Sequence, residues 1–101
     1  MLKKDYSKNR KTCTVLFLVS SDAAGQAGSI HLVGDFNNWD RGATPMERGK
    51  DGAWKASVQL DAGREYQFRY LVDGLRWENE WNADKYVPTP YGDAENSVVI
   101  V

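Results

Sequence analysis

Two consecutive runs, residues 54–61 and 66–72, limit the fold more tightly than anything else in the chain. In the first, Trp54, Ala56, Val58 and Leu60 face one way, while Lys55, Ser57, Gln59 and Asp61 face the other. A period of two is the signature of a strand with one dry and one wet face. Asp61-Ala62-Gly63 then turns the chain, and the return run alternates again: Tyr66, Phe68, Tyr70 and Val72 against Gln67, Arg69 and Leu71. Asp73-Gly74 follows as a two-residue hairpin signal, because a type I′ turn needs positive φ at both positions. Residues 75–78 begin the partner strand.

Strands are also expected at residues 12–20, 29–33 and 97–101, and no segment of about ten residues or more carries a helical period. Repeated short strands bounded by turn residues predict an all-β fold, an immunoglobulin-like antiparallel β-sandwich of about seven to eight strands. A single cysteine means that it lacks the disulfide of a true immunoglobulin domain. With 101 residues the chain can bury one core, about two-thirds of its unfolded surface. Residues 1–11 carry five basic side chains and one acidic one and read as a flexible tail ahead of a domain spanning 12–101. Residues 22–28, rich in Ala and Gly, read as a flexible connection, and 41–49 as irregular chain with Met46 pinned to the core. Residues 79–93, with Pro88, Pro90 and Gly92, read as a long loop, which in a small domain is usually functional or mobile.

Thirteen basic side chains against fourteen acidic ones leave a net charge of −1. That balance argues against a nucleic-acid partner, which calls for a basic face. Cys13 lies in an apolar alternation and reads as a buried thiol; with a single histidine there is no metal-ligand cluster. The apolar run 15–19 is shorter than a secretory signal needs, nothing approaches membrane-spanning length, and the expected compartment is the cytoplasm. Catalysis finds little support. His31 sits mid-strand with no partner motif for nucleophilic chemistry. Glu78, Glu80 and Asp84 lie close together near tryptophans, and glycosidases use two carboxylates about 5–9.5 Å apart, but loop acids are usually solvated, and a small sandwich offers no deep cleft to tune them. Phosphate-cradling glycine loops are absent. The chain is expected to be no enzyme and to carry no cofactor or metal.

Aromatic surface remains. Four tryptophans and five tyrosines are a heavy load for this length. Trp54 belongs to the apolar face of its strand, whereas Trp39, Trp77 and Trp81 lie in or beside polar loops. Trp39 sits in Gly34-Asp35-Phe36-Asn37-Asn38-Trp39-Asp40, among residues that end strands and make turns. Two readings of it stand side by side: a lid folded over the core, or a ring offered to a partner. A pyranose has an apolar C–H face that stacks on an indole and a rim of hydroxyls that need polar partners, since leaving a polar group unpaired costs about 1–3 kcal/mol.

Several motifs in register carry a family resemblance: Val33-Gly34-Asp35-Phe36-Asn37-Asn38-Trp39, Met46, Asp51-Gly52-Ala53-Trp54, Tyr70-Leu71-Val72-Asp73-Gly74-Leu75-Arg76-Trp77, Tyr91-Gly92 and Glu95-Asn96-Ser97-Val98-Val99. Over residues 12–101 the chain resembles the family 48 carbohydrate-binding module, or isoamylase N-terminal (early-set) domain, the type that also forms the glycogen-binding domain of the AMP-activated kinase β subunit. The resemblance implies an early-set sandwich that binds α-1,4-glucan (glycogen, starch, maltooligosaccharide). It implies platform tryptophans at Trp39 and Trp77, the latter displaced by one extra residue after Gly74. Arg69 stands where the family has a sugar-binding lysine, and Tyr91 where it has a loop hydrophobe. The family's amide falls on Asn96 in one register and on Glu95 in a strict alignment. The chain ends flush with its last strand, as a standalone or an excised module would. Three functions follow for test: a non-catalytic α-glucan binder; a protein-interaction module docking on a glucan-metabolising enzyme or kinase; and, least supported, an independent hydrolase. None involves nucleic acid or a membrane.

Overall fold

The computed structural model describes residues 1–89 and 94–101. Nine strands appear: β1 Leu2–Tyr6, β2 Thr12–Val19, β3 Ile30–Gly34, β4 Glu47–Arg48, β5 Trp54–Asp61, β6 Glu65–Val72, β7 Arg76–Glu78, β8 Lys85–Pro88 and β9 Glu95–Ile100. One antiparallel sheet has the order β1-β2-β5-β4; the other runs β3-β6-β9-β8, with β7 also pairing to β6. The protein is thus an immunoglobulin-like β-sandwich.

The alternation of the two central strands sets the core. Trp54, Leu60, Phe68, Tyr70 and Val72 are buried against Val15, Phe17, Ile30, Leu32 and Val99. Phe17 joins the layers, meeting Phe68 edge-on at 5.0 Å and Phe36 at 5.6 Å between ring centroids. Cys13 is fully buried and Met46 nearly so. Met46 is held where the chain leaves one sheet for the other: its N–H donates to the Ile30 carbonyl at 2.8 Å, and β4 follows at once on the other sheet.

Four local expectations need correction. The N-terminal tail is a strand over Leu2–Tyr6, paired with β2 from Leu2↔Phe17 to Tyr6↔Cys13. Lys3 and Lys4 are both exposed on this edge strand, so charge there signalled solvent and not looseness. Residues 21–24 form one helical turn, capped by the Ser20 hydroxyl accepting the Ala23 N–H at 3.1 Å. The long C-terminal loop contains β8, an outer strand, in which Pro88 is tolerated because an edge strand can spare an N–H donor. Finally, Glu80 is no solvated loop acid: it is 3% exposed.

Glu80 organises the end of the sandwich. Its carboxylate accepts the Tyr70 hydroxyl at 2.9 Å, the Asn82 N–H at 2.8 Å and the Met1 ammonium, and its own N–H donates to Ser97 Oγ at 2.9 Å. Glu78 and Asp84 have separate partners, Arg76 and Lys4, each at 2.7 Å. Burial first, and the neighbouring Glu80 carboxylate second, hold the Tyr70 phenol well above its ordinary range. A phenol whose folded pKa is raised contributes stability in full below its unfolded pKa of about 10, and that contribution is lost as pH climbs through the folded value. Tyr70→Phe is expected to cost about 1–3 kcal/mol at neutral pH, because Glu80 loses a buried donor. It should also flatten the alkaline decline in stability, which urea titrations between neutral pH and about pH 11 measure. An unchanged alkaline slope would sink this assignment.

Candidate functional site

The wet face of the second sheet carries the site. Alternation along β6 sends Gln67, Arg69 and Leu71 outward, and the pairings Val33↔Arg69 and Leu71↔Trp77 place Val33 and Trp77 beside them. One edge of β6 pairs with β3. The other pairs with β9 over residues 65–68 and with β7 over 70–72. Arg69 stands where the neighbour changes, so its side chain rises between two strands that part.

Trp77 reaches this face through a register detail. The pairing Val72↔Arg76 leaves Asp73, Gly74 and Leu75 in a three-residue loop, not the two-residue turn expected. A two-residue loop would pair Val72 with Leu75 and set Trp77 opposite Tyr70, on the core face, because side chains switch face with every residue. Leu75, 86% exposed, absorbs the extra residue. Positive φ at Asp73 (54°) and Gly74 (68°) lets the loop close, and Asp73 Oδ1 ties it to β3 by accepting the Gly28 and Ser29 N–H groups at 2.7 and 3.0 Å.

Trp39 arrives from the other side, on the 3-10 turn Asp35–Asn37 that follows β3. Phe36 packs against the core, and Asn37 staples the turn: Oδ1 accepts the Gly34 N–H at 3.0 Å while Nδ2 donates to the Leu32 carbonyl at 2.9 Å and Thr44 Oγ1 at 3.0 Å. Asn38 and Trp39 both have φ of 57°. A left-handed non-glycine residue costs about 1–3 kcal/mol, and here specific bonds over-determine it. The Trp39 N–H donates to the Gly34 carbonyl and the indole N–H to Asp35 Oδ1, both at 2.9 Å. Asp35 Oδ2 accepts the Gln67 N–H at 2.8 Å, so one carboxylate fixes the ring to β6.

These elements enclose an open depression of about 660 Å³ lined by Asp35, Trp39, Arg41, Gln67, Arg69, Trp77, Thr89, Ala94 and Asn96. Trp39 and Trp77 are both half-buried. The Arg69 and Arg41 guanidinium carbons lie 5.6 and 5.5 Å from the Trp77 ring centroid. Asn96 Nδ2 donates to Gln67 Oε1 at 3.0 Å. Arg69 Nε is buried and has no hydrogen-bond partner among the described residues.

Four expected site residues, Trp39, Arg69, Trp77 and Asn96, therefore line one depression. Glu95 does not line it; it is exposed, and its carbonyl accepts from Asn79 Nδ2 at 2.9 Å. Tyr91 lies outside the described residues. Asp35, Gln67 and Arg41 were missed. Gln67 was recoverable, two residues before Arg69 on the same face; Arg41 carried no sequence signal. Leu71, expected on the wet face, is 3% exposed, covered on a sheet face that is not open throughout. Trp81, 69% exposed, lines a separate and more apolar depression of about 500 Å³ at the Glu80 end. Among the described residues no group of three or more His, Cys, Asp or Glu could hold a metal ion, and no helix is long and apolar enough to cross a membrane.

A small two-sheet sandwich with a shallow aromatic site on one outer face has the architecture of a binding module. The chain belongs to the carbohydrate-binding module 48 (isoamylase N-terminal domain) family, which it matches over residues 19–92. It is 40% identical over 48 residues, 45% of its length, to the 1,4-alpha-glucan branching enzyme GlgB of Aquifex aeolicus (strain VF5). It spans 8% of that enzyme's length.

Proposed function

We propose that this chain is a non-catalytic α-glucan-binding module in which Trp39 and Trp77 form the sugar platform. The observation that carries the reading is the convergence of two half-buried tryptophans, one on the loop after β3 and one on β7, on one depression with polar groups among its lining. Each indole offers an apolar face to a pyranose, while Arg69, Gln67 and Asn96 supply donors and acceptors for hydroxyls. Rigid aromatics lose little conformational freedom on binding, which suits a shallow site. Membership of a carbohydrate-binding family and the likeness to a 1,4-alpha-glucan branching enzyme point to α-1,4-linked glucose as the ligand.

The test is affinity electrophoresis in gels cast with glycogen, with calorimetry on β-cyclodextrin. The chain should be retarded by glycogen and bind β-cyclodextrin, and should release no reducing sugar from starch. Identical mobility with and without glycogen, together with no calorimetric signal, would overturn the reading and favour a protein-docking role.

A further inference from the structure

The charge around Trp77 exceeds what a neutral sugar requires. Hydroxyls are served by amides and single donors, as Gln67 and Asn96 already provide. Yet two guanidiniums stand within 6 Å of one indole centroid, and like charges gathered at one site repel. The depression's one acidic lining residue among those described is Asp35. Both its oxygens are engaged, by the Trp39 indole N–H and the Gln67 N–H. No ion pair joins either arginine to a described acid, and Arg69 Nε is buried without an acceptor. Among the described residues, a chain of net charge −1 thus sets two arginines against one engaged acid in its sugar-facing depression, with Arg69 Nε left over as a donor.

We propose that this depression takes an α-glucan bearing a phosphate monoester in preference to the neutral chain. The proposal rests on the α-glucan reading and adds the charged substituent. A phosphate monoester carries about −1.5 to −2 charge at neutral pH and three acceptor oxygens. That dianion matches two guanidiniums, whereas a carboxylate neutralises one. Arginine's planar fork bonds phosphate oxygens through parallel N–H groups, which a lysine in the place of Arg69 would not do. A phosphorylated glucose seated beside Trp77 would place its ester at the ring around which both guanidiniums lie.

Calorimetry with maltoheptaose and maltoheptaose 6-phosphate tests this. The phosphorylated ligand should bind about 10-fold more tightly at about 50 mM salt, and the advantage should shrink at about 500 mM, where charges on an open face are screened. Arg41→Gln should reduce the ratio of the two affinities to about 2-fold or less, with Arg41→Lys intermediate. Arg41 is exposed, so its variants should melt with the parent. Equal affinities for the two ligands would overturn the phosphate preference and leave the α-glucan reading standing. Binding of neither ligand would remove both. Equal affinity for inorganic phosphate alone would also overturn the proposal, since the sugar would contribute nothing.

Discussion

Trp39→Ala combined with Trp77→Ala is expected to abolish retention on glycogen while leaving a folded sandwich. Buried aromatic anchors at recognition sites commonly contribute about 2 kcal/mol or more each, so either single variant should weaken binding about 30-fold and the pair by about a thousandfold. The fold should tolerate both changes. Neither ring belongs to the main core cluster; Trp77 covers its cross-strand neighbour Leu71, a contact of about 1 kcal/mol. Affinity electrophoresis measures the loss, and thermal melting checks the fold. Trp81→Ala is the control: that ring is exposed and lines the other depression, and its loss should leave retention unchanged. Undiminished retention by the Trp39/Trp77 double variant would refute the platform.

Gly34→Ala should produce the largest loss of stability of any one-methyl change near the site. Its φ of −173° is ordinary extended backbone, so conformational strain is not the reason. Space is. A Cβ at Gly34 would lie 2.6 Å from the Gln67 carbonyl oxygen, 2.8 Å from Phe68 Cβ and 3.0 Å from Phe68 Cα. These atoms belong to the central strand of the sheet and cannot rotate aside. Overpacking of this kind costs about 3 kcal/mol or more, which for a chain of this size lowers the melting temperature by about 12–24 °C. The effect should reach the site as well, because the Gly34 carbonyl holds the Trp39 N–H and the Gly34 N–H is held by Asn37. Gly42→Ala, whose Cβ would come no nearer than 3.8 Å to Asp40 Oδ1, should change neither property. Equal melting temperatures for the two variants would show that β3 can move away from β6.

Family resemblance brought Asn96 and Glu95 forward as rival positions for one amide, and the pairing of β9 separates them. Asn96 is opposite Val87 with its side chain in the depression, while Glu95 is opposite Pro88 and turned elsewhere. Glu80 was misread for a related reason. It sits in a stretch rich in polar residues, Glu78, Asn79 and Asn82 among them, and the groups that justify its burial, the Tyr70 hydroxyl and Ser97, are ten and seventeen residues away. A long-range hydrogen-bond network leaves no local pattern. Strand β1 was missed because a solvated edge strand and a loose basic tail have the same composition.

The alternation in residues 54–61 and 66–72 was sufficient for the sandwich, since side-chain period and turn chemistry are local properties. It also put Arg69 outside the core and Trp54 against it, as the structure has them. The Asn-rich loop marked Trp39 as unusual without deciding between lid and platform. Where these side chains lie was set by contacts between distant segments: Asp35 bonded to both the Trp39 indole and the Gln67 N–H, a three-residue loop setting Trp77 on the outer face, and Arg41 and Arg69 both brought to the Trp77 ring. Pairing register and loop length fix which side chains meet across strands, and neither is written in the periodicity of any single strand.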